Sequence, residues 1–194
     1  MQIAPNFEAE KWKALSLDDP THADWDVAIS AFDSRIRERY LAPADFLVTA
    51  EKETRATERR FGFAVLAIDC LLVETLGAFL EGLEESTNRS KEIFCQFLTS
   101  RPRFKVAFSQ ALAEKFYKEF RCGVLHQADV GGTSKVWSVG PLVRTEGESI
   151  IVNRNEFHTC LSFEFTAYLD ELRNKSNVQL RSNFRKKMNF IART

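Results

Sequence analysis

A stretch near the middle of the chain, from Phe116 to Asp129, holds the residues best suited to phosphoryl chemistry. Arg121 stands five residues before His126, and the chain has only three histidines. An arginine presents a planar, permanently charged set of donors that matches phosphate. A histidine exchanges a proton near neutral pH. The pair predicts cleavage of a phosphodiester without a metal ion, in which Arg121 binds the scissile phosphate and His126 moves the proton.

The spacing Arg-x4-His at the end of a helix, in a helical chain, resembles the HEPN superfamily of ribonucleases. The stretch Arg121-Cys-Gly-Val-Leu-His126-Gln-Ala is similar to a bacterial HEPN-like group that is often encoded with defence systems. We estimate that the resemblance covers about Ala56 to Ile191. It implies a HEPN-like helical bundle, a two-fold symmetric homodimer with one composite site, and an antiphage or toxin role beside a defence-system partner protein.

The predicted reaction is metal-independent endonucleolytic cleavage of single-stranded RNA. The 2′-hydroxyl of the RNA attacks the phosphorus, which leaves a 2′,3′-cyclic phosphate and a 5′-hydroxyl. Nothing in the sequence calls for a cofactor. On a straight helix, residues five apart lie roughly 140° around the axis, so Arg121 and His126 share a site only if Gly123 bends the last turns or both side chains reach a pocket at the helix end.

The motif also departs from the family pattern, which leaves other interpretations open. Cys122 follows the arginine, where catalytic HEPN motifs often have Asn, His or Asp, and Ala128 replaces the tyrosine of toxins that a nucleotidyltransferase modifies. The alternative is a catalytically silent HEPN-like module that binds RNA, a nucleotide or a protein partner. A third interpretation is a helical interaction protein in which Arg121 and His126 are structural. His22 and His158 are interpreted as structural.

Further polar residues are candidates for supporting roles. Asp69 and Glu74 interrupt an apolar segment, and buried carboxylates need partners. They either pair with a neighbouring helix or support the active-site arginine or histidine. Gln127 either contacts a base or caps the helix. Near the C-terminus, Arg185, Lys186 and Lys187 belong to a segment without acidic residues; they either bind the RNA backbone or form a solvated helix face.

Composition limits the class of protein. Lys plus Arg and Asp plus Glu number 27 each, so the net charge is zero, and 44% of residues are hydrophobic. This excludes a polybasic nucleic-acid binder and predicts a sizeable core. The four cysteines form no CxxC pair, so we expect reduced thiols and no metal site. Carboxylates within the most apolar run argue against a membrane span, and the predicted location is cytoplasmic.

The hydrophobic pattern predicts a mostly α fold with a small β-hairpin insertion. Residues 1–20 are predicted to be a polar N-terminal arm, and residues 21–194 a single HEPN-like helical domain. The first helix should begin near Thr21 or Asp24 and end before Pro43. The motif helix should run from about Lys105 to Gln127. The charged residues 51–60 are interpreted as a solvated helix lead-in.

Overall fold

The protein is mostly helical with two small sheets, as predicted, and the computed structural model describes residues 1–123 and 131–193. The elements are β1 (Gln2–Ala4), β2 (Phe7–Glu8), α1 (Ala9–Lys13), α2 (Asp24–Ile36), α3 (Ala42–Ala50), α4 (Gly62–Glu81), α5 (Ser90–Ser100), α6 (Pro102–Lys105), α7 (Gln110–Phe116), β3 (Lys135–Trp137), β4 (Val143–Glu146), β5 (Ser149–Asn153), α8 (Arg154–Arg173) and α9 (Val178–Ile191). Two π-helical turns, Arg37–Leu41 and Tyr117–Cys122, extend α2 and α7.

The apolar helix α4 lies at the centre of the fold. It packs against α3, α5, α8 and α9, and Leu66, Val73 and Phe79 are fully buried. By length and composition alone α4 could cross a membrane, but more than half of it is buried inside the protein. Its apolar surface therefore forms the core, as the interrupting carboxylates predicted, and each large side chain buried there contributes about 1.5–3 kcal/mol.

The first long helix, α2, ends at Ile36, before Pro43 as predicted, but helical turns continue past the proline. A π turn follows α2, and the N–H of Ala42 donates to the carbonyl of Arg37, five residues earlier. Pro43 then occupies the first turn of α3, where its missing N–H needs no partner. The wider turn thus carries the chain past the proline. The predicted face is buried at Trp25, Ile29, Phe32 and Ile36.

The motif helix begins later than predicted. A short helix, α6, ends at Lys105, and α7 starts at Gln110, where the Ser109 side chain accepts a hydrogen bond from the N–H of Leu112 (3.3 Å). A serine cap of this kind satisfies a donor that the first turn leaves open. The predicted core face of the helix is nevertheless buried at Phe108, Phe116 and Phe120.

The first 20 residues are more ordered than the predicted polar arm. Strands β1 and β2 form an antiparallel hairpin, and α1 follows directly. Ile3 and Trp12 are buried, and the indole N–H of Trp12 donates to Asn189 in α9 (2.8 Å). These few apolar residues, too widely spaced to show a period, dock the segment onto the helical core.

The predicted hairpin is present and has a third strand. β4 and β5 pair antiparallel around Gly147, which has a φ of 56°, a conformation that glycine adopts without a steric cost. β3 pairs parallel to β5, which gives the order β3-β5-β4. β5 leads directly into α8, where the Asn153 side chain accepts from the N–H groups of Asn155 and Glu156. The sheet therefore orients the start of α8.

Candidate functional site

Arg121 lies in the π turn that extends α7. The turn is anchored by Phe116 and Phe120, which are fully buried and stack on each other with ring centroids 4.6 Å apart. A π turn accommodates one residue more than an α turn, and such turns often occur at functional sites. The apolar anchors leave Arg121 on the partly exposed side, where its side chain is 16% accessible.

Glu74 from α4 holds the Arg121 guanidinium. The carboxylate Oε2 accepts from Nη2 at 2.8 Å and from Nε at 3.2 Å, and Ser86 donates to the other carboxylate oxygen at 3.0 Å. The Tyr117 ring centroid lies 5.5 Å from the guanidinium carbon. Although burial alone would lower the pKa of Arg121, the ion pair with Glu74 raises it. The group is therefore a fixed cation whose orientation is defined before any ligand binds.

The contact fits both interpretations of Glu74, because it is an ion pair with a neighbouring helical turn and its partner is the motif arginine. Tyr117 was not selected from the sequence. It stands four residues before Arg121, a spacing at which side chains on a helix can meet.

A groove of about 580 Å³ lies beside the π turn. It is lined by Tyr117, Cys122 and charged residues of both signs, including Lys91 and Lys118.

His126 and Gln127 lie outside the described residues, so the roles proposed for them stay predictions. Glu119, two residues before Arg121, receives a hydrogen bond from Ser134, and its backbone carbonyl accepts from the N–H of Gly131 (2.9 Å).

Asp69 forms an ion pair with His158 of α8, a different helix from the one that carries Arg121. Nδ1 of His158 lies 2.8 Å from Asp69, and Nε2 lies 3.1 Å from Asp45 of α3. Asp69 is fully buried, and its second oxygen has no hydrogen-bond partner in the described part of the chain. Burial raises the pKa of Asp69 despite the histidine. For His158, burial opposes protonation, but the two carboxylates outweigh it and raise the pKa.

This network predicts a pH-dependent contribution to stability. Because the pKa of His158 is higher in the folded protein, its contribution is complete below the unfolded pKa of about 6.5 and is lost as pH rises through the folded pKa. We expect the free energy of unfolding of wild type relative to His158→Gln to decrease on going from about pH 6 to about pH 9. Urea denaturation at several pH values measures it, with His22→Gln as control. A difference that grows with pH would contradict this assignment.

The C-terminal basic residues have different surroundings. Arg185 forms an ion pair with Asp18 (2.6 Å) and donates to the carbonyl of Leu17, and with Lys186 it lines a cavity of about 430 Å³ next to the N-terminal segment. Lys187 donates to the carbonyl of Glu84 (2.5 Å), and burial lowers the pKa of Lys187. Arg185 and Lys187 thus help to dock α9 onto the rest of the protein.

The described residues contain no group of three or more potential metal ligands among His, Cys, Asp and Glu. All four cysteines are free thiols, and Cys70 and Cys95 are buried. Burial raises the pKa of the Cys70 thiol well above its usual value, which makes that thiol unreactive.

Comparison of the chain with protein-family models, with curated proteins and with solved structures gives no match. The site is therefore interpreted from its own residues.

Proposed function

We propose that this protein is a metal-independent endoribonuclease of the HEPN type that cleaves single-stranded RNA. The observation that carries the proposal is the orientation of Arg121, which Glu74 and Tyr117 hold at the end of the motif helix. A preorganised cation stabilises charge that develops on a phosphoryl group without reorganising at the moment of reaction.

In the proposed reaction, Arg121 donates hydrogen bonds to the non-bridging oxygens of the scissile phosphate. His126 takes the proton from the attacking 2′-hydroxyl or gives one to the departing 5′-oxygen. The bond from phosphorus to the 5′-oxygen breaks as the bond to the 2′-oxygen forms. The lysines that line the groove beside Tyr117, together with Lys186, would contact the RNA backbone.

The resemblance supports a homodimer with a composite site and a role in antiphage defence or as a toxin, with a partner protein from the same system. The cytoplasmic location is proposed from the carboxylates that interrupt the most apolar run. A homodimer brings two copies of Arg121 and His126 to one two-fold axis.

The test is cleavage of an end-labelled single-stranded RNA in EDTA by wild type and by His126→Ala, with identification of the product ends. The proposal requires cyclic-phosphate ends from wild type and none from the variant. His22→Ala, a histidine near the start of α2, is the matched control and should cleave as wild type does. Equal cleavage by wild type and His126→Ala would refute the proposed site.

A catalytically silent binding module is the second candidate, and a specific contact favours it. Glu74 already accepts two hydrogen bonds from Arg121, so phosphate must compete with a carboxylate for the guanidinium. Cys122 after the motif arginine fits the same interpretation. RNA binding that weakens in Arg121→Gln, without cleavage by wild type at any pH or with any divalent metal, would establish this function instead.

A further inference from the structure

A second cavity lies at the opposite end of α4 from the turn that Glu74 contacts. It borders Gly62, the first residue of α4, twelve residues before Glu74, which is about 18 Å along a helix that rises 1.5 Å per residue. The cavity encloses about 280 Å³. Its lining residues are Thr57, Arg59, Gly62, Val136, Trp137, Ser138 and Arg154.

Arg154 brings an unused donor to this cavity. Arg154 is buried, with only 1% of its surface exposed to solvent. One terminal nitrogen, Nη2, donates to Glu51, whereas Nη1 is buried and has no hydrogen-bond partner in the described part of the chain. A buried donor without an acceptor destabilises the folded protein, because it has lost its hydrogen bonds to water. An acceptor placed in the cavity by a ligand would remove that cost.

The N-terminus of α4 faces the same space. The residue before it, Phe61, provides no side-chain cap, and the first turn contains no acidic residue. Its open N–H groups carry the positive end of the helix dipole, equivalent to about half a charge. A β-carbon at Gly62 would lie 3.1 Å from Val136 and 3.9 Å from Nη1 of Arg154, so the glycine keeps the backbone accessible next to the unused donor.

The charge balance of the cavity favours an anion. Arg59 and Arg154 line it, and no carboxylate from residues 1–123 or 131–193 does. Glu51, the acid that pairs with Arg154, accepts hydrogen bonds from Arg154 and from the N–H groups of Arg60 and Phe61. Burial would raise the pKa of Glu51, but these hydrogen bonds outweigh it and lower the pKa. Glu51 therefore offsets the charge of Arg154, and the positive charge that remains comes from Arg59 and the helix end.

We propose that this cavity binds the phosphate of a small phosphate monoester carried on a planar ring. A monoester has a charge of about −1.5 to −2 at pH 7 and three acceptor oxygens. Arg59, Nη1 of Arg154 and the first turn of α4 supply donors, and Thr57 and Ser138, which carry hydroxyls, also line the cavity. Trp137 is 44% exposed and offers a surface for the ring.

The proposal is independent of RNA cleavage, and calorimetric titration of the full chain tests it. The probes are phenyl phosphate, phenyl sulfate, which has the same shape but a single charge, and inorganic phosphate, which has no ring. We expect phenyl phosphate to bind most tightly of the three. Arg59→Gln should weaken its binding about tenfold or more, since a hydrogen bond to a charged group is lost.

The matched control is Arg55→Gln, because Arg55 is an exposed arginine four residues earlier that does not line the cavity. It should bind phenyl phosphate as wild type does. Trp137→Leu should weaken phenyl phosphate and leave inorganic phosphate unchanged. Absence of phenyl phosphate binding to wild type, equal binding of phenyl sulfate, or equal weakening by the two arginine variants would each overturn the proposal. These binding measurements do not depend on whether the Arg121 site cleaves RNA.

Discussion

Arg121→Gln is expected to reduce RNA cleavage by about 10²–10³-fold, the loss typical when one preorganised donor to a developing negative charge is removed. Glutamine keeps a polar side chain of related shape but has neither the charge nor the planar set of donors. Single-turnover cleavage of a labelled RNA measures the effect on the chemical step. Arg121→Lys should also lose most activity, because its point charge cannot reproduce the two contacts that Arg121 makes with Glu74.

Arg89→Gln provides the matched control. Arg89 also pairs with carboxylates, Glu81 and Glu92, but on the surface beside α5. Its loss should leave cleavage unchanged. Urea denaturation of each variant separates a loss of activity from a loss of folded protein. If Arg121→Gln only lowers the free energy of unfolding and the folded fraction cleaves as wild type does, Arg121 is a structural residue.

Glu51→Gln is expected to lower the free energy of unfolding by about 3–5 kcal/mol, because it leaves the buried Arg154 charge without its partner. Both side chains are at most 5% exposed, so water cannot replace the carboxylate. The same change weakens the contacts that Glu51 makes with the backbone of Arg60 and Phe61. Urea denaturation at neutral pH measures the loss.

The control is an ion pair of the same chemical type on the surface. Asp170 pairs with Arg173 at 2.7 Å, but both side chains are more than half exposed. Asp170→Asn should therefore cost less than about 1 kcal/mol. In the double variant Glu51→Gln/Arg154→Met, part of the stability should return, since the unpaired charge is gone. A cost for Glu51→Gln no larger than that for Asp170→Asn would show that the buried pair contributes little.

The helices with the clearest apolar period could be predicted from the sequence. In α8 the apolar residues that recur at helical spacing, Phe157, Leu161, Phe165, Tyr168, Leu169 and Leu172, are all buried, and the Asn153 side chain caps the helix. The central position of α4 followed from its apolar surface on all sides. These predictions hold because a buried helix face leaves a repeat within a single element.

The partners of the charged residues could not be predicted, because they come from distant parts of the chain. Glu74 and Arg121 are separated by 47 residues along the chain. Asp69 and His158 are separated by 89 residues, and Glu51 and Arg154 by 103. A local pattern shows that a carboxylate in an apolar segment needs a partner, but not which one. Glu51 illustrates the problem: it stands in a charged run that looked solvated, and it is 4% exposed.

The π turns escaped prediction for another reason. An apolar spacing of four, as in Phe116 and Phe120, is compatible with both α and π geometry, so the hydrophobic pattern does not distinguish them. Pro43 indicated an end to the preceding α-helix, yet a π turn carries the chain past it.

The central helix α4 also separates two ionic sites, because two of its carboxylates pair with different neighbouring elements. Asp69 and Glu74 are five residues apart on α4, so they leave it about 140° apart around the axis, one toward α8 and the other toward the π turn after α7. The charged partners that shift the pKa of Asp69 are His158 and Asp45, whereas Glu74 is the acidic group that shifts the pKa of Arg121. His158 and Arg121 therefore belong to separate ion pairs, which two carboxylates of one helix form with different neighbouring elements.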